Sequence, residues 1–395
     1  MPSFRKAALA AALILLTAVF VPSAPAAEKP FVFGMLLVGP YNDHGWSQSH
    51  YEAGKYVEAR TGNTRMLYID KVNPADRPGM TVPQLVEDLA EKGARLIIAN
   101  SDDMKDGIRQ AALAHPDIHF IHVSGDDVLT GKAPPNLTNL MGKMEYAKMM
   151  AGFVAALTTR TGKIAYLGPL ENEETRRLAV ACFLGAKYAW ENILKKPLDL
   201  FRFRVSWIGF WFNIPGVTAD PTAVAGNFYD TGYDVIVSGL DTTEAVTVAR
   251  QKRDQGRMVW AMPYEYINAC QTGPEVCLGV PYFNWGPDYL NLIRQSMAGQ
   301  WESRFIWSSP DWTDMNNPDT GAIGFKPGPA MAPEVKKALD EFSAGLADKK
   351  IELFRGPLLY QDGTVFLKDG EIATDRQIWY VSKLLAGMTG TGGDQ

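Results

Sequence analysis

Apolar and polar positions alternate along the chain in a pattern typical of successive strands and helices. Residues 32–38 form an apolar run with the length and branching of a strand that is buried on both faces. Gly39 and Pro40 end this run, and a polar loop leads into a helix predicted over residues 47–56. Shorter apolar runs and segments of helical period then alternate; strands are predicted at 65–69, 96–99 and 119–124, and helices at 82–91 and 104–114. This order predicts a parallel, doubly wound sheet.

A second series of alternating units begins after residues 139–142, which we predict to be a crossover. Its predicted strands are 163–167, 202–208, 234–238 and 257–262, and its predicted helices are 143–158, 175–190, 221–231 and 242–255. The fold class is therefore α/β, with two doubly wound parallel-sheet lobes and a cleft between them. We expect the first lobe to comprise residues 27–141 plus about 281–325, and the second 142–280 plus about 326–386.

The pattern is less regular after Gly299. Residues 301–312 and 316–321 are loop-rich, and a helix is predicted over 332–347. Residues 351–360 and 364–367 have the pattern of two strands joined by a turn at Gln361-Asp362-Gly363. We expect residues 387–395 to form a disordered tail.

The first 26 residues have the three parts of a secretory signal peptide. Arg5 and Lys6 precede an apolar stretch at 7–21, which ends at the small-residue site Ala24-Pro25-Ala26. No Cys stands near this site, so we expect no lipoprotein anchor. No later stretch approaches the roughly 20 apolar residues of a membrane span. We therefore expect a soluble, periplasmic protein.

Charge and cysteine content narrow the function further. The formal net charge is -5, and this argues against nucleic acid because there is no basic stripe to pair with phosphates. Cys270 and Cys277 flank a short loop with a Gly-Pro turn, so we expect a disulfide between them in an oxidising compartment. Cys182 stands in an apolar stretch and is expected to be a buried free thiol.

Motifs typical of catalysis are absent from the sequence. It contains no Gly-x-Ser-x-Gly, Walker or Gly-x-Gly-x-x-Gly segment. His119 and His122 would point to opposite faces of a short strand, which argues against a histidine metal site. Asp126-Asp127 is more typical of a helix cap or turn than of a metal loop. We expect a binding protein without metal or cofactor; an exported nucleoside-cleaving enzyme with a metal at Asp126-Asp127 is the alternative.

Aromatic and polar residues stand where the predicted strands end. Ligands of open α/β sheets bind beyond the carboxyl ends of the strands. Aromatic faces stack on flat heterocycles for about 1–3 kcal/mol each, and amide and carboxylate groups then fix the orientation. No Lys or Arg stands at these ends, which argues against a phosphate or carboxylate ligand. For every aromatic residue, a place in the core or cleft wall is the alternative. The candidate ligand-binding residues are Asn42, Asp43, Trp46, Asn100, Gly125, Trp211, Asp241, Tyr264, Glu265 and Trp285.

Several of these segments resemble one known family. GPYNDHGWSQSHYEAG at 39–54, the stretch beginning WIGFWFNIPG at 207, and CLGVPYFNWGPDYL at 277–290 are similar to motifs of the BMP (basic membrane protein) family. Members of this family are substrate-binding proteins of ABC importers, and this chain resembles the branch with an Asp-x-Gly-Trp loop. The similarity runs from about residue 31 to about 380. One departure is Asn213-Ile214-Pro215-Gly216, where many members have an Asp-Pro-x-Lys-Glu type sequence.

The resemblance implies a type I periplasmic binding-protein fold with three crossovers between the lobes. It also implies a purine nucleobase or nucleoside held between two aromatic side chains. By position in the family motifs, Asn42, Asp43 and Trp46 correspond to the family's first loop. Trp211 corresponds to the stacking residue of the second lobe, and Asp241 corresponds to the strand end opposite it. We expect a monomer that delivers its ligand to an ABC permease in the inner membrane. A ligand-sensing receptor subunit for another small heterocycle is the alternative.

Overall fold

The computed structural model describes residues 29–390. The predicted signal peptide at residues 1–26 and the last five positions, 391–395, lie outside the described residues. Among residues 29–390, no helix is both long and apolar enough to cross a bilayer.

Strands and helices alternate through most of the chain, as the pattern predicts. The strands are β1 (Phe31–Leu36), β2 (Thr64–Ile69), β3 (Leu96–Ala99), β4 (His119–Val123), β5 (Leu137–Gly142), β6 (Lys163–Gly168), β7 (Arg202–Trp207), β8 (Val235–Ser238), β9 (Trp260–Met262), β10 (Gly279–Phe283), β11 (Phe305–Ser308), β12 (Ile323–Pro327), β13 (Leu358–Leu359), β14 (Val365–Leu367) and β15 (Met388–Thr389). The helices are α1 (Trp46–Thr61), α2 (Val82–Glu91), α3 (Lys105–Ala114), α4 (Glu145–Thr158), α5 (Glu173–Tyr188), α6 (Pro221–Asp230), α7 (Glu244–Asp254), α8 (Gly286–Met297), α9 (Pro333–Ala347) and α10 (Asp375–Trp379).

The first sheet has the strand order β11-β5-β4-β3-β1-β2, and all of its neighbouring strands are parallel. The chain starts in β1, pairs β2 on one side of it and then pairs β3 on the other. The strand order therefore reverses between β1 and β3, which opens a crevice at their carboxyl ends.

The second sheet has the order β15-β7-β6-β8-β9 and is likewise parallel. Here the strand order reverses at β6, which has β7 on one side and β8 on the other. Each sheet thus has a reversal point at which a ligand crevice is expected.

Three segments differ from the sequence predictions. The strand predicted over 351–360 is limited to β13 (Leu358–Leu359), which pairs with β14. Residues 301–312 were expected to be loop-rich, but β11 lies within them and pairs with β5 at the edge of the first sheet. The prediction of a disordered tail from residue 387 is wrong at the start of that tail, because Met388 pairs with Phe203 at the edge of the second sheet. β11 and β15 are short edge strands, which have too few residues to show an alternating pattern.

The segments that run between the two sheets are paired with each other. β10 and β12 form an antiparallel ladder, with Tyr282 opposite Gly324. They match two of the predicted crossings, and the third follows β5, where the chain enters α4. The residue limits of the two lobes stay a prediction.

Helices α4 and α5 pack against each other through two glycines. A β-carbon on Gly152 would lie 1.8 Å from the carbonyl oxygen of Cys182, and one on Gly185 would lie 1.9 Å from that of Met149. This separation is possible only because neither residue has a side chain. Helix α4, which follows β5 of the first sheet, is therefore packed closely against α5, which follows β6 of the second sheet.

The three cysteines are arranged in two ways. Cys270 and Cys277 form a disulfide with their α-carbons 5.5 Å apart. Cys182 is a buried free thiol on α5.

Candidate functional site

A cavity lies between the two sheets, where the carboxyl ends of their strands face each other. Its walls come from the strand ends of the first sheet and the start of α1, and from the strand ends of the second sheet and the start of α5. It is lined by Val38, Trp46, Asn100, Ser101, Asp102, Ser124, Glu174, Trp211, Asp241 and Glu265. The cavity volume is about 20 Å³, room for about one or two water molecules.

Trp46 forms the wall on the side of the first sheet. Its Nε1–H donates to the carbonyl oxygen of Asn100 at 2.5 Å, and its ring packs edge-on against Trp285, with ring centroids 5.5 Å apart. Asn100 is held in turn, because its Oδ1 accepts from the backbone N–H of Val38 at 2.9 Å. The polar edge of the indole is therefore used within the protein.

Trp211 forms the opposite wall, from the loop after β7. Its Nε1–H donates to Oδ2 of Asp103 at 2.6 Å, a bond that crosses from the second sheet to the first. Its carbonyl oxygen accepts from the N–H of Asp241 at 3.1 Å. Both indole N–H groups thus have partners within the protein, so neither is free to donate to a ligand.

Four carboxyl groups line the cavity: Asp102, Glu174, Asp241 and Glu265. Burial raises the pKa of Asp102 to about 7, and the nearby charge of Glu174 adds to this. Burial also raises the pKa of Asp241 and of Glu265 well above the ordinary range; the charge of Asp43 adds to the shift of Asp241, and the charge of Asp241 adds to that of Glu265. The cavity is thus rich in poorly solvated carboxyl groups that hold their protons more tightly than usual.

Lys148 is a buried cation on α4 near this acidic cluster. Its Nζ donates to the carbonyl oxygen of Ser238 at 2.6 Å and lies 3.3 Å from the ring centroid of Tyr264. Burial lowers the pKa of Lys148 to about 7, although the charge of Glu265 opposes the shift. Lys148 therefore supports the wall of the site but does not line the cavity.

Several polar atoms at the site have no hydrogen-bond partner. They are Nδ2 of Asn100, Oδ2 of Asp241, Oε2 of Glu265 and the hydroxyl of Tyr264. Buried polar atoms are almost always paired, so such a group of orphans is unusual and indicates where a ligand would bind.

Five of the ten candidate ligand-binding residues line the cavity, namely Trp46, Asn100, Trp211, Asp241 and Glu265. Asp43 does not, because its carboxylate accepts from the backbone N–H groups of Gly45, Ser47 and Gln48 at 2.9, 2.8 and 2.9 Å. Burial raises its pKa to about 6 even though these three bonds lower it. Asp43 thus fixes the loop and the first turn of α1. Asn42 is exposed on the same loop.

The remaining three candidates lie behind the cavity wall. Trp285 is fully buried and stacks on Phe283, with ring centroids 4.4 Å apart. Tyr264 lies under Lys148. Gly125 is packed so closely that a β-carbon would lie 2.0 Å from Nδ1 of His122. These residues shape the site from outside it.

Other lining residues were not among the candidates, chiefly Ser101, Asp102, Ser124 and Glu174. Ser101 and Asp102 directly follow Asn100 at the end of β3, so the strand-end rule was sufficient to find them. Glu174 stands in the first turn of α5 after β6, in a stretch without a matching family motif. An acidic residue there is expected simply as a helix-capping charge.

The predicted alternative metal loop has ordinary partners. Asp127 pairs with Arg109 at 2.8 Å, and Asp126 accepts from the hydroxyl of Tyr380 at 2.8 Å and pairs with Lys105. In the described part of the chain, no group of three His, Cys, Asp or Glu residues is placed to hold a metal ion.

The family model described as "ABC transporter substrate-binding protein PnrA-like" matches residues 31–303. The chain belongs to this family. A relative, the purine-binding protein of Brucella abortus (strain 2308), is 27% identical over 363 residues, covering 92% of this chain and 94% of that protein. The family assignment confirms the resemblance carried by the Asp-x-Gly-Trp loop. Members of the family are solute-binding proteins, which bind a small ligand and work with a membrane permease.

Solved structures agree with the fold. A solute-binding protein of an ABC transporter system from Aeropyrum pernix K1 matches with a TM-score of 0.64 at 9% identity, covering 84% of this chain and 93% of that one. One from Conexibacter woesei DSM 14684 matches with a TM-score of 0.59 at 17% identity, covering 81% and 97%. The family member described here therefore has the type I periplasmic binding-protein fold.

Proposed function

We propose that this substrate-binding protein captures a purine nucleobase or nucleoside in the periplasm and delivers it to an ABC permease. The observation that carries the proposal is the pair Trp46 and Trp211, which reach one cavity from opposite sheets with their N–H groups already bonded. Two aromatic faces without free polar edges suit a flat heterocycle. The name of the Brucella relative, which covers nearly the whole chain, supports the same ligand class.

Binding would be coupled to movement of the two lobes. The cavity lies between the two sheets and hydrogen bonds join its two walls, so the lobes would separate for a purine to enter. Cross-cleft bonds join Trp211 to Asp103, Ser124 to Glu174 and Tyr380 to Asp126. A ligand that contacts both lobes favours the closed state, because only that state makes both sets of contacts. The closed form would then be recognised by the permease.

Calorimetric titration of the purified protein tests this proposal. The ligands are adenine, guanine, hypoxanthine and their nucleosides, with sugars and amino acids as the comparison set. We expect purines to bind, and Trp46→Ala and Trp211→Ala each to weaken binding about tenfold or more, since a base–aromatic stack contributes about 1–3 kcal/mol. Tyr68→Ala is the control, because Tyr68 is 39% exposed on β2 outside the cavity. Binding of sugars or amino acids alone would refute the ligand class.

A further inference from the structure

Lys148 stands on the buried face of α4, among apolar residues. It is 0% exposed, and its neighbours on the helix, Ala147 and Met149, are buried as well. Lysine is almost never buried completely unless it is paired with a carboxylate. Here its Nζ donates to a carbonyl oxygen instead, that of Ser238, at 2.6 Å. An apolar side chain would fill the same place at a lower desolvation cost, so stability alone does not account for this lysine.

The side chain of Lys148 reaches three neighbouring strands of the second sheet. Ser238, whose carbonyl oxygen accepts from Nζ, ends β8. The ring of Tyr166 in β6 has its centroid 5.3 Å from Nζ, and the ring of Tyr264, just after β9, has its centroid 3.3 Å away. A single side chain on the helix that follows the first sheet therefore holds the part of the second sheet that carries ligand-site residues.

Ser238 begins the turn that leads to Asp241, which lines the cavity. The hydroxyl of Ser238 accepts from the N–H of Leu240 at 3.1 Å, and the N–H of Asp241 donates to the carbonyl oxygen of Trp211 at 3.1 Å. Because this hydrogen-bonded turn is only four residues long, a shift of Ser238 would displace Asp241 as well.

Tyr264 directly precedes Glu265, whose backbone is strained. The φ angle of Glu265 is +74°, in the left-handed region that a non-glycine residue enters only at a cost. Its N–H donates to the carbonyl oxygen of Pro281 at 3.0 Å, and its carbonyl oxygen accepts from the N–H of Phe283 at 3.1 Å. Such a conformation persists only where the surrounding structure enforces it. Lys148, which packs on the ring of Tyr264, is part of that surrounding structure.

We propose that Lys148 is a positioning residue, which fixes Asp241 and Glu265 in the places from which they contact the ligand. It acts through Ser238 and Tyr264 and does not itself touch the ligand. This inference rests on the proposed function and specifies how that same site is held in shape. The role does not depend on the protonation state of the two acids, and an amine donates to a carbonyl oxygen whether or not it is protonated.

Hydrogen exchange of the ligand-free protein tests the positioning directly. Lys148→Met keeps a long, unbranched side chain but removes the N–H donors. We expect the backbone N–H groups of Asp241 and Glu265, which are both bonded in the wild type, to exchange about tenfold faster because local opening becomes easier. Met150→Leu, at another buried position of α4, is the matched control and should leave both rates unchanged. Unchanged protection in Lys148→Met would overturn the inference.

Calorimetric titration with adenine and with hypoxanthine measures the effect on binding. We expect Lys148→Met to weaken binding about tenfold or more, because two polar contacts of the ligand are displaced. Combined with Glu265→Gln, it should cost less affinity than the sum of the two single losses, since Lys148 acts partly through Glu265. Additive losses would contradict this coupling. Should Lys148→Met not fold, Lys148→Gln, whose side chain is one bond shorter, serves for the same measurements.

The two levels of proposal fail in different ways. If no purine binds to the wild-type protein, the proposed function is wrong, and hydrogen exchange still decides whether Lys148 holds the two strand ends. If purines bind and Lys148→Met keeps the wild-type affinity and exchange rates, the proposed function stands and this inference is wrong.

Discussion

The backbone of Gly45 lies directly against the main-chain carbonyl oxygen of Asp241, so that a β-carbon on Gly45 would sit 1.8 Å from that oxygen. Gly45 precedes α1 beside the first sheet, and Asp241 follows β8 of the second. The contact therefore spans the cleft. It gives a physical reason for the glycine between Asp43 and Trp46, since any side chain there would hold the two sheets apart.

Gly45→Ala is expected to weaken ligand binding at least tenfold while changing the melting temperature little. The added methyl group blocks closure, whereas the packing within each lobe is untouched. Calorimetric titration measures the affinity, and the radius of gyration measured in the presence of ligand shows whether the lobes close. Gly226→Ala is the control, because a β-carbon on Gly226 of α6 meets nothing within 4 Å. A fully closed, tightly binding Gly45→Ala protein would show that the contact is not limiting.

The bond between Trp211 and Asp103 is expected to favour the closed state. Trp211→Phe keeps an aromatic face but removes the N–H that donates to Oδ2 of Asp103 at 2.6 Å. A hydrogen bond to a charged group contributes about 1.5–3 kcal/mol, so affinity should fall about tenfold or more. A double-mutant cycle with Asp103→Ala measures the pairwise part. Additive losses in the double variant would mean that the bond does not act as a pair.

The pH dependence of stability should reflect Asp102. Burial raises its pKa from 3.8 to about 7, so the folded state holds this proton more tightly than the unfolded state does. Its contribution to the free energy of unfolding therefore falls as the pH rises from about 4 to 7 and is constant above that. In Asp102→Asn, the melting temperature relative to wild type should rise across this window. Asp369→Asn, at an exposed position, is the control. If the melting temperature of Asp102→Asn changed with pH in parallel with that of the wild type, the assignment to Asp102 would be refuted.

The glycine contact between α4 and α5 should control stability rather than binding. A β-carbon on Gly185 would lie 1.9 Å from the carbonyl oxygen of Met149, so Gly185→Ala forces the helices apart. We expect a loss of about 3 kcal/mol in the free energy of unfolding, at the upper end for overpacked cores, measured by urea denaturation. By contrast, Gly226→Ala in α6 should gain about 0.5–1 kcal/mol from helix propensity. Equal stability of the two variants would contradict the close packing.

Most strands and helices follow from the apolar pattern, but the edges of the sheets do not. Parallel strands such as β1 are buried on both faces and have continuous apolar runs, so the sequence identifies them. β11 and β15 are short edge strands whose pairing depends on distant segments. Their strand character therefore arises from tertiary contacts rather than from a local pattern.

The candidate site was predictable where chemistry and topology coincide. Trp46 and Trp211 stand at strand ends, are uncommon residues, and both line the cavity. Asp43 stands in an equally suitable place, but the residue types that bind ligands also cap helices, and only the structure shows which backbone N–H groups it accepts from. Glu174 was not predicted to bind ligand, because an acidic residue in the first turn of a helix such as α5 is expected from the helix dipole alone.

The pairing of β15 with β7 has a consequence for the order of folding. Apart from β15, the strands of the second sheet lie between residues 163 and 262, yet the partner that covers the outer edge of β7 is residues 388–389. Until residues 388–389 pair with it, the outer edge of β7 presents unpaired N–H and carbonyl groups, which are a template for association with other chains. Protection of the second sheet against aggregation thus depends on a contact between segments that are far apart in the chain.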